Sequence, residues 1–165
     1  ASTNHVRPLA TWRRKLTAHG CCMTDIKCLP VPKEHIGTVW PHIEPMLAKA
    51  VVTANGKCGT SSIFAGAHDG TYLLWVILLD EKIVASVTTR IIEYPLCRSM
   101  ALDWVAGTRM KLWFGEAMRV MKEHAKRNGC TRMEGYGREA WIKWIGPEGW
   151  HQDYVVFKLE LDDGR

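Results

Sequence analysis

Leu102-Asp103-Trp104-Val105-Ala106-Gly107-Thr108-Arg109-Met110-Lys111 is the stretch whose reading decides the fold. Up to Val105 it ends a strand that begins at Arg98. Met100, Leu102 and Trp104 alternate there with Ser99, Ala101 and Asp103, the period of a pleated strand. From Met110 the period changes. Met110, Trp113, Phe114, Ala117, Met118, Met121 and Ala125 recur at the three- and four-residue spacing of one helical face. Asn128-Gly129 is a helix stop. Gly107 lies where the two periods meet. A strand that passes through a tight turn into a helix leaves the first amides of that helix without intrahelical partners. With the helix dipole, those amides can hold an anion such as a phosphate.

Two further strands precede this unit. Thr71 to Leu79 is almost continuously apolar, as expected of a strand buried on both faces. Asp80-Glu81-Lys82 is a hairpin turn, and Ile83 to Tyr94 is rich in β-branched residues. Upstream, Asp25 to Val31 reads as a first strand. Ile36, Val39, Trp40, Ile43, Met46 and Leu47 mark a helix that Pro41 and Pro45 are expected to bend or split. Thr60, Ser61 and Ser62 can cap a second, short helix carrying Ile63, Phe64 and Ala67. Downstream, Cys130 to Tyr136 is strand-like. A helix bearing Ala140, Trp141, Trp144 and Ile145 ends at Gly146-Pro147. Trp150 to Leu161 is expected to add one or two strands through the alternation of Val155, Phe157, Leu159 and Leu161.

The 165 residues suit one domain, expected over 23–165, behind a basic N-terminal arm over 1–22. Arg7, Arg13, Arg14 and Lys15 supply most of the net charge of +5, so the body is nearly neutral. Such an arm is either an extension without a structural role or a docking segment for nucleic acid or an acidic protein surface. The six cysteines form no C-x-x-C and no zinc-spaced pair with histidine, so no metal site is expected, and free thiols fit a cytoplasmic location. No apolar run approaches the ~20 residues of a membrane span. No apolar core follows the basic N-terminal residues, so no secretory signal is expected.

The element order, β-α-α-β-β-β-α-β-α-β over about residues 24 to 161, resembles the GNAT superfamily of acyl-CoA-dependent N-acyltransferases. Ala125-Lys126-Arg127-Asn128-Gly129 resembles that family's A-x-x-x-G, and Gly149-Trp150 its Gly-aromatic pair before the last hairpin. Trp40-Pro41-His42-Ile43-Glu44-Pro45, with Gly137-Arg138 before a tryptophan, is similar to small GNAT-like proteins of tailed phages and prophages. The resemblance implies an α/β (α+β) fold with a mixed, mostly antiparallel sheet of six to seven strands and about four helices. It implies acetyl-CoA as donor and an amine as acceptor. Trp104, Val105, Gly107, Thr108, Arg109, Met110 and Lys111 would then bind the cofactor.

The chain departs from the family in two places. The family signature Q/R-x-x-G-x-G/A has only its first glycine here, Gly107. Arg109, Met110 and Lys111 stand where a second small residue is expected. Their bulk either blocks the pyrophosphate or, through Arg109 and Lys111, binds it by charge. The family also commonly places a tyrosine acid on its fourth helix, where this chain has Trp141-Ile142-Lys143-Trp144. Tyr136 is the nearest substitute. Glu93, Asp103 and Glu134 are candidate bases at strand ends, or else solvated carboxylates. Two functions follow as expectations. One is an acetyl-CoA-dependent N-acyltransferase, or a weakened descendant of one. The other is a non-catalytic phage protein that keeps the fold and docks on a virion partner or nucleic acid through residues 1–22.

Overall fold

The computed structural model describes residues 24–54 and 56–161, so the basic arm lies outside the described residues. Five strands form one sheet in chain order: β1 Ile26–Pro30, β2 Leu73–Leu79, β3 Lys82–Glu93, β4 Arg98–Gly107 and β5 Arg132–Gly135. The first four are antiparallel to their neighbours, and β5 runs parallel to β4. Helices α1 (Ile36–Val51) and α2 (Thr60–Asp69) follow β1, α3 (Met110–Arg127) links β4 to β5, and the short α4 (Ile142–Ile145) follows β5. The α3 crossover is what permits the parallel pairing, since a hairpin cannot join parallel neighbours.

The uninterrupted apolar run of β2 is explained by burial on both faces. Trp75, Ile77 and Leu79 join Val87, Met100 and Leu102 beneath the apolar stripe of α3. Leu74 and Val76 join Ile36, Ile43, Leu47, Ile63 and Ala67 beneath α1 and α2. The Trp75 indole N–H donates to Thr89 Oγ1 at 2.9 Å, which satisfies a polar group inside the first core. At the β2–β3 turn both Asp80 (φ 47°) and Glu81 (φ 66°) are left-handed, the conformation a two-residue hairpin requires. The Asp25 N–H donates to Asp80 Oδ1 at 2.9 Å, and the Asp80 N–H donates back to the Asp25 carbonyl at 2.9 Å. At the end of α3, Gly129 has φ 72°. The Cys130 N–H reaches the Ala125 carbonyl at 3.0 Å and the Gly129 N–H that of Lys126 at 3.0 Å, a Schellman termination.

Four expectations change. The sheet has five strands rather than six to seven. Residues 151–161 have no regular secondary structure, and Val155, Phe157, Leu159 and Leu161 are exposed, so their alternation meets no sheet face. A strand needs a neighbour for its alternate backbone groups. β5, the strand that would receive it, is four residues long. The helical region after β5 is also slight: α4 has four residues between 3-10 turns at Glu139–Trp141 and Gly146–Glu148. Thr60 opens α2 instead of capping it: Gly59 is the N-cap, and no side chain caps the helix. Finally, α1 is one helix through Pro41 and Pro45, so the two prolines do not split it. Both prolines are exposed and four residues apart, so the two lost backbone bonds fall on one solvent-facing stripe where water can serve the freed carbonyls.

Proline in a helix interior costs ~3 kcal/mol relative to alanine. Pro41→Ala should therefore raise stability in urea or thermal unfolding, by about 1–3 kcal/mol. An unchanged or lowered midpoint would show that the ring supports a contact that outweighs the lost hydrogen bond.

Candidate functional site

The β3–β4 ladder carries an irregularity with consequences for both neighbours. Thr88 pairs with Trp104 while Thr89 pairs with Leu102, so Asp103 is the extra residue of a β-bulge. The Trp104 N–H donates to Thr88 Oγ1 at 3.1 Å across it. On the other edge of β4, pairing with β5 runs from Ser99–Arg132 to Leu102–Gly135 and stops there. From Asp103 to Gly107 the β4 edge that faced β5 has no strand partner among the described residues. That free edge leads straight to the start of α3.

Asp103 is not a free base. Both its carboxylate oxygens accept from Arg90 Nε, at 3.0 and 2.9 Å, and its side chain is only 9% exposed. Burial raises the carboxyl above its usual range, and Arg90 draws it back only in part. Reading the strand sequence missed Arg90. A charge among Thr88, Thr89, Ile91 and Ile92, in a strand bound for the sheet centre, was the available signal.

Gly107 has φ 150°, and a Cβ there would stand 2.4 Å from Ala85 Cβ and 2.5 Å from the Val84 carbonyl oxygen. This glycine lets β4 lie on the start of β3. The Thr108 N–H donates to Val84 O at 2.9 Å, and the Thr108 carbonyl accepts the Trp113 indole N–H at 2.7 Å. Arg109 precedes α3 in the left-handed conformation (φ 56°, ψ 33°), and no side chain caps the helix. The Leu112 N–H returns to the Arg109 carbonyl at 2.9 Å. Met110 packs against the core beneath α3, and Trp104 packs against the core beneath α1 and α2. The Lys111 ammonium lies 5.0 Å from the centre of the Trp144 ring. Val105 to Thr108, with Met46, Lys49 and Ala50 of α1, line a shallow cleft of about 230 Å³. Lys49 adds a cation to this end of the site that the helix period alone did not single out.

Two of the predicted acid–base residues come together, and one stands apart. The Glu134 carboxylate accepts from Tyr136 Oη at 3.0 Å and from Tyr94 Oη at 2.9 and 3.2 Å. Partial burial, then the bond to Glu134, pushes the Tyr136 phenol up to about 12. The bond to Glu134 likewise raises Tyr94. Glu93 instead forms an exposed cross-strand ion pair with Arg98. Among the described residues no cluster of metal-ligating side chains occurs, and no helix is long and apolar enough to cross a membrane.

This architecture shares its fold with solved acetyltransferase structures, among them a GCN5-related N-acetyltransferase from Ralstonia eutropha JMP134. A probable acetyltransferase superposes with TM-score 0.65 at 16% identity, covering 83% of this chain and 99% of that one. An aminoglycoside acetyltransferase from an uncultured soil metagenomic sample, solved with sisomicin, gives 0.59 at 11%, covering 83% and 97%. A transcriptional regulator from Bacillus halodurans C-125 gives 0.63 at 14%, covering 83% and 100%. No family model and no curated protein matches the chain by sequence.

Two substitutions check the local physics. Gly107→Ala should cost about 2–4 kcal/mol in chemical denaturation, because the methyl group has nowhere to go beside Ala85 and the Val84 carbonyl. Arg90→Ala should cost about 2 kcal/mol by leaving Asp103 buried and unpaired, below the ~3–5 of a fully buried pair because Arg90 is itself partly exposed. The second loss should shrink when Asp103→Asn is added. Strict additivity in that cycle would mean that the pair does not hold the bulge.

Proposed function

We propose that the chain binds an acyl-CoA thioester, acetyl-CoA as its donor, along the free edge of β4 and passes the acyl group to an amine. The observation that carries this reading is the parting of β4 from β5 at the Asp103 bulge, which leads to an uncapped helix N-terminus. A strand edge without a partner offers its amides and carbonyls to an extended, amide-containing chain such as pantetheine. The first turn of α3 offers a positive dipole end to the pyrophosphate.

The residues present fit this group by charge rather than by a glycine cradle. The space beside Gly107 is taken by Ala85 and Val84, so the backbone does not open toward a phosphate there. Lys49 lines the cleft as a cation, and Arg109 and Lys111 lie at the start of α3, directly after the Thr108 that ends the cleft. In this reading Thr108 to Lys111 hold the phosphates, and Lys111 exchanges the face of Trp144 for a phosphate oxygen. Met110 and Trp104 support the site from the two cores.

The thioester supplies an acyl carbon bonded to a good leaving group. The Glu134 carboxylate takes a proton from the acceptor ammonium. The freed nitrogen forms the new N–C bond as the C–S bond breaks, and the Tyr136 hydroxyl delivers a proton to the departing sulfur. Its raised phenol keeps Tyr136 protonated through the physiological range, as a proton donor must be. Asp103 positions the strand edge through Arg90, and Glu93 stays outside the reaction. An aminoglycoside acetyltransferase with the same fold supports an amine as the acceptor class.

A second reading is a non-catalytic phage or prophage protein that keeps the fold and docks on a virion protein or nucleic acid through residues 1–22. Three observations favour it: side-chain bulk at Arg109 to Lys111, a left-handed Arg109, and a Lys111 already seated on Trp144.

Thermal unfolding with acetyl-CoA separates the two. At 100 times its Kd the ligand should stabilise by about 2.7 kcal/mol. The shift should vanish in the Arg109→Glu, Lys111→Glu double variant. No shift at millimolar acetyl-CoA would sink the acyltransferase reading and favour the other.

A further inference from the structure

We propose that a second pocket, at the opposite end of β4 from the α3 start, is a receptor for an alkylammonium ion. In this assignment it takes the acceptor amine in its protonated form. The binding itself is independent of the acyl-transfer reading. Only the fate of the bound amine rests on that reading.

The pocket holds about 460 Å³, enough for a small organic cation, between the turn that joins β3 to β4, the strand β5, and the chain at Asp153 and Tyr154. Its walls include the rings of Tyr94 and Tyr154, which are 41% and 62% exposed. An aromatic ring presents a negative π face that attracts a cation. The carboxylates of Glu134 and Asp153 line the same space with a single guanidinium, that of Arg132. The charge of the lining is therefore net negative, and no lysine lines the pocket. An anion would meet two carboxylates here, and a neutral arylamine would gain less from them than an ammonium does.

Glu134 is held ready. The phenols of Tyr94 and Tyr136 both donate to it, fixing the carboxylate without exhausting the roughly four lone-pair sites of such a group. The remaining sites can accept from an ammonium, a charge-assisted bond of the stronger kind. The register gives the pocket a purpose. Glu134 stands beside Ala101, two residues before the Asp103 bulge, so the ammonium site lies ~7 Å along the strand from the free edge of β4. Tyr136 acts in binding as a positioning residue, through Glu134.

The test is calorimetric titration of the full chain with n-butylammonium, tetramethylammonium and neutral n-butyramide. The two cations should bind saturably, and butyramide should bind at least ~10-fold more weakly. Tyr154→Ala, at an exposed position that threatens no fold, should weaken both cations about 3–10-fold, and Tyr154→Phe should restore them to within about twofold because the ring returns. Glu134→Gln should weaken butylammonium about 10-fold or more. Equal binding of butylammonium and butyramide would overturn the proposal. So would parental affinity in both Tyr154→Ala and Glu134→Gln.

The two readings fail separately. Melting stabilised by acetyl-CoA without cation binding removes the receptor and leaves acyl transfer. Cation binding without stabilisation by acetyl-CoA keeps the receptor and removes acyl transfer.

Discussion

β4 has to satisfy two neighbours of unequal length. β3 runs beside it to Gly107, whereas β5 leaves it after Leu102. The extra residue at Asp103 makes both arrangements possible, because a bulge bends the strand and increases its local twist. A bulge of this kind would drift in register if nothing pinned it. Arg90 holds the inserted carboxylate, and Thr88 Oγ1 receives the Trp104 amide on the other side of the insertion. The two cores then clamp the strand from above and below, with Leu102 under α3 and Trp104 and Ala106 under α1 and α2. The cleft, the helix start and the tyrosine–carboxylate pocket all take their positions from this one strand.

The pocket and the cleft are complementary in charge. Cations gather where β4 runs into α3, and carboxylates and phenols gather where β4 begins beside β5. A negatively charged ligand and a positively charged one would be drawn to opposite ends of the same strand. Selection by field acts before any contact is made. Two such ligands would not compete for one place.

Much of this fold was legible because its signals are local and periodic. The apolar stripe from Met110 to Ala125, the β2 run and the stop at Asn128-Gly129 needed no tertiary knowledge. What stayed hidden depends on partners distant in sequence. Nothing in Arg90 announces that it will reach Asp103, thirteen residues on, across a bulge. Glu93, Asp103 and Glu134 look alike as strand-end carboxylates. Only the register sends the first to Arg98, the second to Arg90 and the third to two phenols. Alternation alone overstated the strands near Tyr154 to Leu161, because it reports which side chains are apolar and not whether a neighbouring strand is present.

Gly107 shows how a residue can be held in place by a demand unrelated to the one its neighbourhood suggests. Its missing side chain is required by Ala85 and by the Val84 carbonyl, both inside the sheet. Mutational drift at this position is therefore restrained by folding alone. A descendant that had abandoned every ligand would still carry the glycine, while Arg109 and Lys111, exposed beside it, would be free to change. In a lineage of such chains, the record of lost or kept chemistry would be written in the cations and not in the glycine.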